Sequence, residues 1–342
     1  MPLTHLLTEP VTDPLPLYRV RDSIYAADLL AAAIVHLDLF TWLADHPATF
    51  GAICQHFEIK PRPADVMMTL CTAMGLVVQS GGVFLLTARG REHLVASSPF
   101  NLAPYYNSLR DRPQILDMVK VLRTGKTANW GSYDASAWAA SMERPEFAAQ
   151  FTAAMDCRGY YLGPALAKKV DLSGTKRLLD IGGGSGIYAC CFAARYPELQ
   201  AAVFEKPPVD RIAREAIAKQ GATDRVEVIA GDMFAGPLPT GFDAHLISNV
   251  LHDWDEDVVR EILAKSYAAL APGGLLVVHD EHINADKTGP LPVAQYSCQL
   301  MHSTEGKCYS LGEMRSYFST IGFDWVSFAD TAADRSAIVA RK

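Results

Sequence analysis

The spacing of apolar residues divides the chain into a helical first half and an alternating second half. Residues 17–43 are apolar on nearly every face, which predicts a helix buried in a domain core and a subunit interface. The stretches ATFGAICQHFEI and RPADVMMTLCTAMGLV predict two further helices, the second ended by Gly75. Short β-rich runs on both sides of Ser80-Gly81-Gly82 predict a hairpin. Helix, helix and hairpin is the order of a winged helix.

Residues 101–170 also have helical spacing and carry many aromatic side chains. Aromatic residues at such spacing usually pack in a core, and the alternative is that they line a pocket for a flat molecule. They are Tyr105, Tyr106, Trp130, Tyr133, Trp138, Phe147, Phe151, Tyr160 and Tyr161.

From Lys176 onward, short apolar runs alternate with helical stretches. Five strands are predicted by RLLDI, AAVFEKP, RVEVIAGDMF, FDAHLISNVLHDW and GGLLVVHDEH, and a last strand by AIVARK. SLGEMRSYFSTIGF predicts a helix before this last strand. Strands that alternate with helices are typical of a parallel sheet covered on both faces. The predicted fold class is therefore α/β, with a Rossmann-like domain that follows a mostly helical winged-helix domain.

The acidic balance of the chain argues against a nucleic-acid partner. The 342 residues have a formal net charge of −7, whereas binding to phosphates requires a basic face. The helix that would enter a DNA groove has Arg62 as its only basic residue. We therefore expect this helix to serve a core or a dimer rather than DNA.

The sequence also favours a cytoplasmic location without a membrane partner. The first twenty residues lack a basic start followed by an apolar run, and no stretch reaches about eighteen uninterrupted apolar residues. The seven cysteines form no CxxC pair, and their odd number indicates free thiols in a reducing compartment.

A glycine-rich loop follows the first strand of the second half and opens a helix. It runs from Asp180 through Gly182, Gly183 and Gly184 to Gly186, and such glycines let the backbone turn sharply and approach a ligand. The dinucleotide fingerprint would need a third glycine at position 187, which is an isoleucine. An acid before the glycines repels phosphate and suits an ammonium group.

Two more acids end the next two predicted strands. Glu205 can accept hydrogen bonds from both hydroxyls of a ribose. Asp232 can accept one from an adenine amino group, while Met233 and Phe234 pack on the ring. An amino-acid tail, a ribose and an adenine without phosphates are the parts of S-adenosylmethionine, which we predict as the cofactor.

A histidine stands where the fourth strand of this half stops, in NVLHDWDEDVVREIL. His252 is either a structural histidine beside a helix cap or a general base. Asp255 is predicted to cap the following helix, and Asp253 and Trp254 are predicted to hold the turn.

The motifs of both halves together resemble one known family. LLDIGGGSG, FEKPPV, RVEVIAGDMF, ISNVLHDWDED and LAPGGLLVVHD resemble the S-adenosylmethionine-dependent O-methyltransferases of the caffeic acid and acetylserotonin O-methyltransferase type. LFTWLAD, TAMGLV and FLLTARG stand in the order of that family's winged-helix dimerisation domain. The resemblance implies a class I methyltransferase domain, a homodimer, and transfer of the sulfonium methyl to an acceptor oxygen without a metal.

The resemblance also assigns roles to single residues. Ser248 occupies a cofactor-contacting position that is a lysine in plant relatives. His252 matches the general base, and Asp280 matches its orienting acid, which is usually a glutamate. A second acid of the plant relatives would fall near Cys308, with Glu305 out of register. The other positions carried over are Gly182 and Gly184 at the methionine tail, Glu205 at the ribose, Asp232, Met233 and Phe234 at the adenine, and Met155, Met301 and His302 at the acceptor.

The chemistry of phenols supports the role of His252 independently. A phenol has a pKa of about 10 and is a poor nucleophile at neutral pH until its proton is removed. A histidine with an ordinary pKa of about 6.5 can accept that proton as the methyl group moves.

The run HDEH at 279–282 raises the question of a metal site. Alternation along a strand would place His279 and Glu281 on one face and Asp280 and His282 on the other, so at most two could share an ion. We therefore predict no metal. His245, in the middle of a strand, is predicted to be a core histidine.

These inferences give a domain plan and a function. The plan is a flexible arm (1–16), a winged-helix-like dimerisation domain (17–100), a helical connector that contributes to the acceptor pocket (101–170) and an S-adenosylmethionine-binding domain (171–342). The predicted function is O-methylation of a phenol or enol of a small aromatic or polyketide-like natural product. The alternatives are N- or C-methylation or a non-methylating reaction on the same fold, and a non-catalytic dimeric binding protein.

Overall fold

The computed structural model describes residues 3–128, 141 and 143–342, which form two compact units. Unit 1 comprises Met1–Pro16, Ala135–Glu281 and Glu313–Lys342, and unit 2 comprises Leu17–Asp134 and His282–Gly312. The predicted boundary after residue 16 coincides with a division between the units, whereas those after residues 100 and 170 do not. A pattern read along the chain cannot show that segments far apart in sequence share one core.

Unit 2 is mostly helical, with one small antiparallel sheet. The helix, helix and hairpin predicted from the sequence are confirmed as α4, α5 and the β2–β3 hairpin, and the sheet order is β1-β3-β2. Its elements are α1 (Leu15–Asp22), α2 (Ala26–Val35), α3 (Leu39–Asp45), β1 (Ala48–Thr49), α4 (Phe50–Phe57), α5 (Pro61–Ala73), β2 (Val77–Ser80), β3 (Val83–Leu86), α6 (Ala88–Leu94), α7 (Ala103–Asn107) and α8 (Pro113–Thr124), with Leu291–Ser303 added from the later segment.

The apolar region 17–43 is not one helix but three. Breaks fall between α1 and α2 and between α2 and α3, where Asp38 has a left-handed backbone (φ 50°) directly before α3. The predicted burial is confirmed for α2, where Leu29 and its alanine neighbours are inaccessible to solvent. Within the described residues, no single helix is long and apolar enough to cross a membrane, and one bent pair, Leu15–Val35 with Leu39–Asp45, meets the test by length and composition only.

Arg62 of α5 makes structural contacts within unit 2. Its Nη1 donates to the carbonyls of Met301 and Thr304 at 3.2 Å and of Gly306 at 2.8 Å, and its Nη2 donates to that of Gly125 at 2.9 Å. The only basic residue of the predicted recognition helix is thus held by protein carbonyls.

We expect Leu29→Ala to destabilise the protein by about 2–5 kcal/mol, because it removes fully buried methyl groups and leaves a cavity in unit 2. Chemical denaturation measures the change in the free energy of unfolding. Lys120→Ala, at an exposed position of α8, is the matched control and is expected to change it by less than about 0.5 kcal/mol. Equal effects of the two substitutions would contradict the assignment of Leu29 to the core.

Unit 1 is built around a seven-stranded sheet with the order β6-β5-β4-β7-β8-β10-β9. The five predicted strands are confirmed and run parallel, whereas β10 pairs antiparallel with both β8 and β9. The sequence does not predict β9, whose residues are mostly exposed or partly exposed. The strands are β4 (Arg177–Ile181), β5 (Gln200–Glu205), β6 (Val226–Ala230), β7 (Ala244–Ser248), β8 (Leu275–Asp280), β9 (Asp324–Asp330) and β10 (Ser336–Arg341).

The helices of unit 1 connect these strands or precede them. They are α9 (Pro145–Lys169), α10 (Ile187–Arg195), α11 (Val209–Lys219), α12 (Glu256–Ala269) and α14 (Leu311–Ile321), where α13 denotes Leu291–Ser303 of unit 2. The predicted cap of α12 is confirmed, since the Asp255 side chain accepts from the N–H of Val258 at 3.1 Å.

The first residues belong to unit 1 and differ from the predicted loose arm. A short 3-10 helix, Leu3–Leu7, buries Leu3 and Leu6, and the Sγ of Cys191 lies 3.4 Å from the carbonyl oxygen of Leu6. Burial of these leucines against α10 explains why a Pro- and Thr-rich segment is ordered.

Two of the described aromatic residues of the connector, Tyr106 and Phe147, pack against core clusters. Tyr105 and Tyr160 are exposed, and Tyr106, Phe147 and Tyr161 are partly buried. Trp130, Tyr133, Trp138 and the side chain of Phe151 lie outside the described residues.

Candidate active site

The carboxyl ends of the five parallel strands bring the predicted cofactor residues to one edge of the sheet. Ligands bind at this edge in open α/β sheets. Asp180, Gly182 and Gly184 stand at the end of β4, Glu205 at the end of β5, Asp232, Met233 and Phe234 after β6, Ser248 at the end of β7, and Asp280 at the end of β8.

Gly182 and Gly184 give the loop after β4 a backbone that other residues rarely adopt, with φ angles of 67° and 57°. A Cβ at Gly182 would lie 3.2 Å from Val250, whereas no described atom lies within 4 Å of one at Gly184. The N–H of Gly184 donates to Oε2 of Glu205 at 3.1 Å. The loop therefore leaves open space beside Gly184.

Asp180 lies against this loop and is fully buried. A Cβ at Gly183 would lie 2.6 Å from its carboxylate. Burial raises the pKa of Asp180 to about 7, and the nearby N–H of Ala189 offsets this only in part. Neither carboxylate oxygen makes a hydrogen bond of ordinary geometry with the described residues. The acid therefore has unused acceptor capacity for a cationic ligand.

We expect Asp180→Asn to stabilise the ligand-free protein at pH 8 and to weaken its binding of S-adenosylhomocysteine. The pKa of Asp180 is higher in the folded state than its ordinary value, so its contribution to stability falls as the pH rises from about 4 towards 7. Removal of the buried charge should raise Tm at pH 8 by about 2 °C or more.

Scanning calorimetry at pH 5 and pH 8 measures the Tm of Asp180→Asn and of the wild type. The variant should have the higher Tm only at pH 8. Titration calorimetry with S-adenosylhomocysteine checks the weaker binding. A gain in Tm of the same size at both pH values would show that the charge of Asp180 is not its cause.

Glu205 is held by backbone donors at the end of β5. The N–H of Lys206 donates to Oε1 at 2.9 Å, while Gly184 donates to Oε2. Burial raises the pKa of Glu205 to about 7, although both donors favour the charged form. The Nζ of Lys206 lies 3.5 Å from Oδ2 of Asp232 and so links the ends of β5 and β6.

Lys265 of α12 fixes the loop that carries Met233 and Phe234. Its Nζ donates to their carbonyls at 3.0 Å and 2.8 Å, respectively. The ring of Phe234 packs edge-to-face on Trp254, with 4.7 Å between centroids. The sequence does not identify Lys265, because a lysine on an amphipathic helix gives no sign of the carbonyls that it reaches.

Ser248 is part of a buried chain of hydrogen bonds. Its Oγ lies 2.9 Å from Nδ1 of His279 and accepts from Nδ2 of Asn249 at 3.0 Å. Asn249 also donates to the hydroxyl of Tyr188 at 3.1 Å, and Nε2 of His279 lies 3.0 Å from Oγ1 of Thr331. Contact between Ser248 and the cofactor stays a prediction.

His252 lies in a 3-10 turn directly after β7, and only 4% of it is exposed. Its Nδ1 is hydrogen-bonded to Oδ1 of Asp280. Its Nε2 lies 3.6 Å from Oδ1 of Asp253. Because the carboxylate of Asp280 engages Nδ1, Nε2 is the ring atom that can accept a proton from another molecule.

Glu281 supplies a second carboxylate to His252. Its Oε2 lies 3.5 Å from Nδ1 of the imidazole, and its Oε1 is paired with Nη2 of Arg335. The prediction that Glu281 points away from Asp280 is wrong, because β8 ends at Asp280 and the alternation of a strand stops there. The sequence missed Glu281 and Arg335 as members of the site.

The two carboxylates have different environments. Burial raises the pKa of Asp280 to about 6, although His252 favours its charged form. Burial also acts on Glu281, but Arg335 and His252 hold the pKa of that carboxyl well below its usual range. Glu281 is therefore ionised throughout the neutral range.

His252, Asp280 and Glu281 are also of the types that bind a divalent cation, and their donor atoms lie within 4.8 Å of one another. Alternation along residues 279–282 did not predict that Asp280 and Glu281 would both lie beside His252. Here Nδ1 is engaged with Asp280, and Arg335 already supplies positive charge to Glu281. The arrangement therefore fits an oriented base better than a metal site.

The predicted acceptor residues lie in both units. Met155 is in α9 of unit 1, with its Sδ 2.8 Å from Nη2 of Arg158. Met301 is fully buried in the core of unit 2, and the ring of His302 stacks on Tyr25 with centroids 4.1 Å apart. Their contact with an acceptor stays a prediction.

Two further predictions concern single residues. Cys308 is buried in unit 2, and its backbone N–H donates to Oγ of Ser297 at 3.1 Å. His245 is confirmed as a core histidine: its Nδ1 lies 2.9 Å from Oγ of Ser266, and burial lowers its pKa to about 4.

Known proteins are similar to this chain in sequence and in fold. The model of the O-methyltransferase domain family matches residues 116–324. The chain is 33% identical over 302 residues to 3-hydroxy-5-methyl-1-naphthoate 3-O-methyltransferase of Streptomyces sahachiroi, with 87% of this chain and 86% of the relative covered. It is 27% identical over 339 residues to the tetracenomycin polyketide synthesis 8-O-methyl transferase TcmO of Streptomyces glaucescens, with 97% and 98% covered.

A solved structure extends the match over nearly the whole chain. The O-methyltransferase family 2 protein from Planctomyces limnophilus, in complex with apigenin, has a TM-score of 0.87 and 31% identity, with 98% of both chains covered. Because the family model matches more than half of the chain, the chain belongs to the O-methyltransferase family and is an S-adenosylmethionine-dependent methyltransferase.

Proposed function

We propose that this methyltransferase methylates a phenol or enol hydroxyl of a small aromatic or polyketide-like molecule, with His252 as general base. The observation that carries the proposal is the buried hydrogen bond between Nδ1 of His252 and Asp280, which leaves Nε2 as the proton acceptor. A carboxylate in this position orients the imidazole and stabilises the imidazolium that forms.

The residues at the strand ends fit S-adenosylmethionine. The unsatisfied carboxylate of Asp180 suits the ammonium group of the methionine tail, and the open space at Gly184 lets the backbone approach it. Glu205 would hold the ribose, the loop Asp232–Phe234 would hold the adenine, and Gly182 and Ser248 would line the tail. When bound, this cofactor supplies a methyl group already activated by its positive sulfur.

The chain's own contribution to the chemistry is then alignment and proton removal. A phenol must lose its proton as the new bond forms, and Nε2 of His252 would take it. Asp280 would hold the ring in the required orientation and balance the positive charge that develops.

The relatives support the acceptor class. One is named for a hydroxynaphthoate, one for a polyketide, and the similar solved structure holds apigenin. All three suggest flat aromatic hydroxyl compounds. By resemblance, we propose that Met155, Met301 and His302 contact this acceptor.

We also propose that the protein is a homodimer and acts in the cytoplasm. Leu17, Val20 and Ile24 are exposed by 75%, 74% and 52%, and they lie at one-face spacing in and just after α1. Such an apolar strip suits contact with a second copy of the chain. All seven cysteines are free thiols, which suits a reducing compartment.

Incubation with methyl-labelled S-adenosylmethionine and a panel of hydroxynaphthoates, flavones and polyketide phenols tests the reaction. Matched amines and O-methylated phenols in the same panel test N- and C-methylation. Label should appear on the hydroxyl compounds and not on their O-methylated forms. Transfer to amines alone, or to no compound while S-adenosylhomocysteine binds, would contradict O-methylation of this class.

A further inference from the structure

Arg335 is aimed into unit 1 by the tight turn between β9 and β10. The two residues before it, Ala333 and Asp334, both have left-handed backbones, with φ angles of 51° and 61°. The N–H of Thr331 donates to the carbonyl of Arg335 at 2.9 Å, and Nη1 of Arg335 donates to that of Ala333 at 2.6 Å. Only 2% of Arg335 is exposed, which is exceptional for an arginine.

The register of the sheet places this arginine next to Glu281. β10 pairs antiparallel with β8, with Ser336 opposite Asp280. Arg335 directly precedes Ser336 and Glu281 directly follows Asp280, and the two side chains form a buried ion pair. The other carboxylate oxygen of Glu281 faces Nδ1 of His252. Arg335 is thus connected to the imidazole through one side chain.

The charges around His252 explain why such a connection matters. An imidazole that faces two buried carboxylates is driven towards its protonated form, and an imidazolium cannot accept a proton. Asp280 and Glu281 face it from the end of β8, and Asp253 faces it from its own turn. Arg158 of α9 acts electrostatically on Asp253 and on Tyr188 of α10. Among the described residues, Arg335 is the positive group that forms a salt bridge with one of the two carboxylates at Nδ1.

We propose that Arg335 is a positioning residue for methyl transfer: by pairing with Glu281 it cancels one of the two carboxylate charges at Nδ1 of His252 and keeps the imidazole neutral. Glu281 serves as the link and helps to orient the ring, while Asp280 remains its hydrogen-bond partner. The proposal rests on the role of His252 as general base.

NMR titration of labelled histidine side chains tests this proposal without an acceptor substrate. The resonance of His252 is assigned by its loss in the His252→Gln variant. The pH midpoint of its titration is then measured in the wild type and in the other variants. We expect Arg335→Met to raise the midpoint by about one pH unit or more, because the two carboxylates at Nδ1 then act unopposed. In the double variant with Glu281→Gln, the midpoint should return to within about half a unit of the wild type.

Two further variants separate charge from folding. Arg335→Lys keeps the charge and should leave the midpoint near that of the wild type. Arg341→Met removes an exposed arginine from the other end of β10 and should not shift it. If Arg335→Met does not fold, Arg335→Gln carries the same expected rise. The proposal would be overturned if the midpoint in Arg335→Met, or in Arg335→Gln, equalled that of the wild type. It would also be overturned if the rise persisted in the double variant with Glu281→Gln.

Kinetics distinguish a failure of this inference from a failure of the proposed function. With an acceptor that the enzyme methylates, Arg335→Met should move the acidic limb of the pH profile of kcat to higher pH by as much as the midpoint of His252 rises. The KM for S-adenosylmethionine should be unchanged. A purely structural arginine would lower kcat equally at every pH, which would overturn the inference. Full activity of the His252→Gln variant would instead show that His252 is not the general base, and the proposed function would fail whatever the titration shows.

Discussion

His252→Gln is expected to lower kcat by about two to four orders of magnitude while the Kd for S-adenosylhomocysteine changes less than about twofold. Glutamine has a similar size and can still donate a hydrogen bond to Asp280, but it cannot accept a proton at neutral pH. The cofactor residues at the ends of β4, β5 and β6 are untouched, so binding should survive.

Single-turnover methyl transfer measures the chemical step, and titration calorimetry measures binding. His5→Gln, which removes an exposed imidazole of the same unit, is the matched control and should retain wild-type kcat. If His252→Gln transferred the methyl group as fast as this control, His252 would be a structural histidine.

Asp280→Asn is expected to lower kcat by about a hundredfold or more, again with little change in cofactor binding. The amide carries no charge to balance the imidazolium, and it can present an N–H to Nδ1 and so favour the wrong tautomer. Asp280→Glu restores the carboxylate that the family usually has, and we expect it to retain much of the activity.

The pH profile gives a second measure of the role of Asp280. Burial raises its pKa to about 6, so the charged carboxylate that supports His252 is present above this pH and is lost as the pH falls through it. Wild-type kcat should therefore decline below about pH 6, and this acidic limb belongs to the coupled pair of His252 and Asp280. If the asparagine variant kept wild-type kcat, the carboxylate would not orient the base.

Features with a local cause could be predicted from the sequence. The glycine loop, the acids after successive strands and the cap at Asp255 follow from backbone rules that act over a few residues. Because parallel strands end at a common edge, the predicted strands implied that Asp180, Glu205 and Asp232 would lie together. The structure confirms this placement in unit 1.

Features that depend on where an element ends were less predictable. The rule of alternation placed Glu281 away from Asp280, but it holds only within a strand, and β8 stops one residue earlier. The apolar region 17–43 divides after α1 and again between α2 and α3, where Asp38 has a left-handed backbone, although the apolar pattern continues across both breaks.

The sequence by itself determined the α/β class and the glycine-rich loop, and it singled out the histidine that we propose as the base, since these follow from local periodicity and short motifs. Only the tertiary structure decided what surrounds that histidine. Glu281 lies beside it as a second acid, whereas the family resemblance placed a second acid near Cys308. Arg335, 83 residues further along the chain than His252, reaches it through the pairing of β10 with β8. Contacts of this kind depend on strand register and turn geometry, which no local pattern encodes.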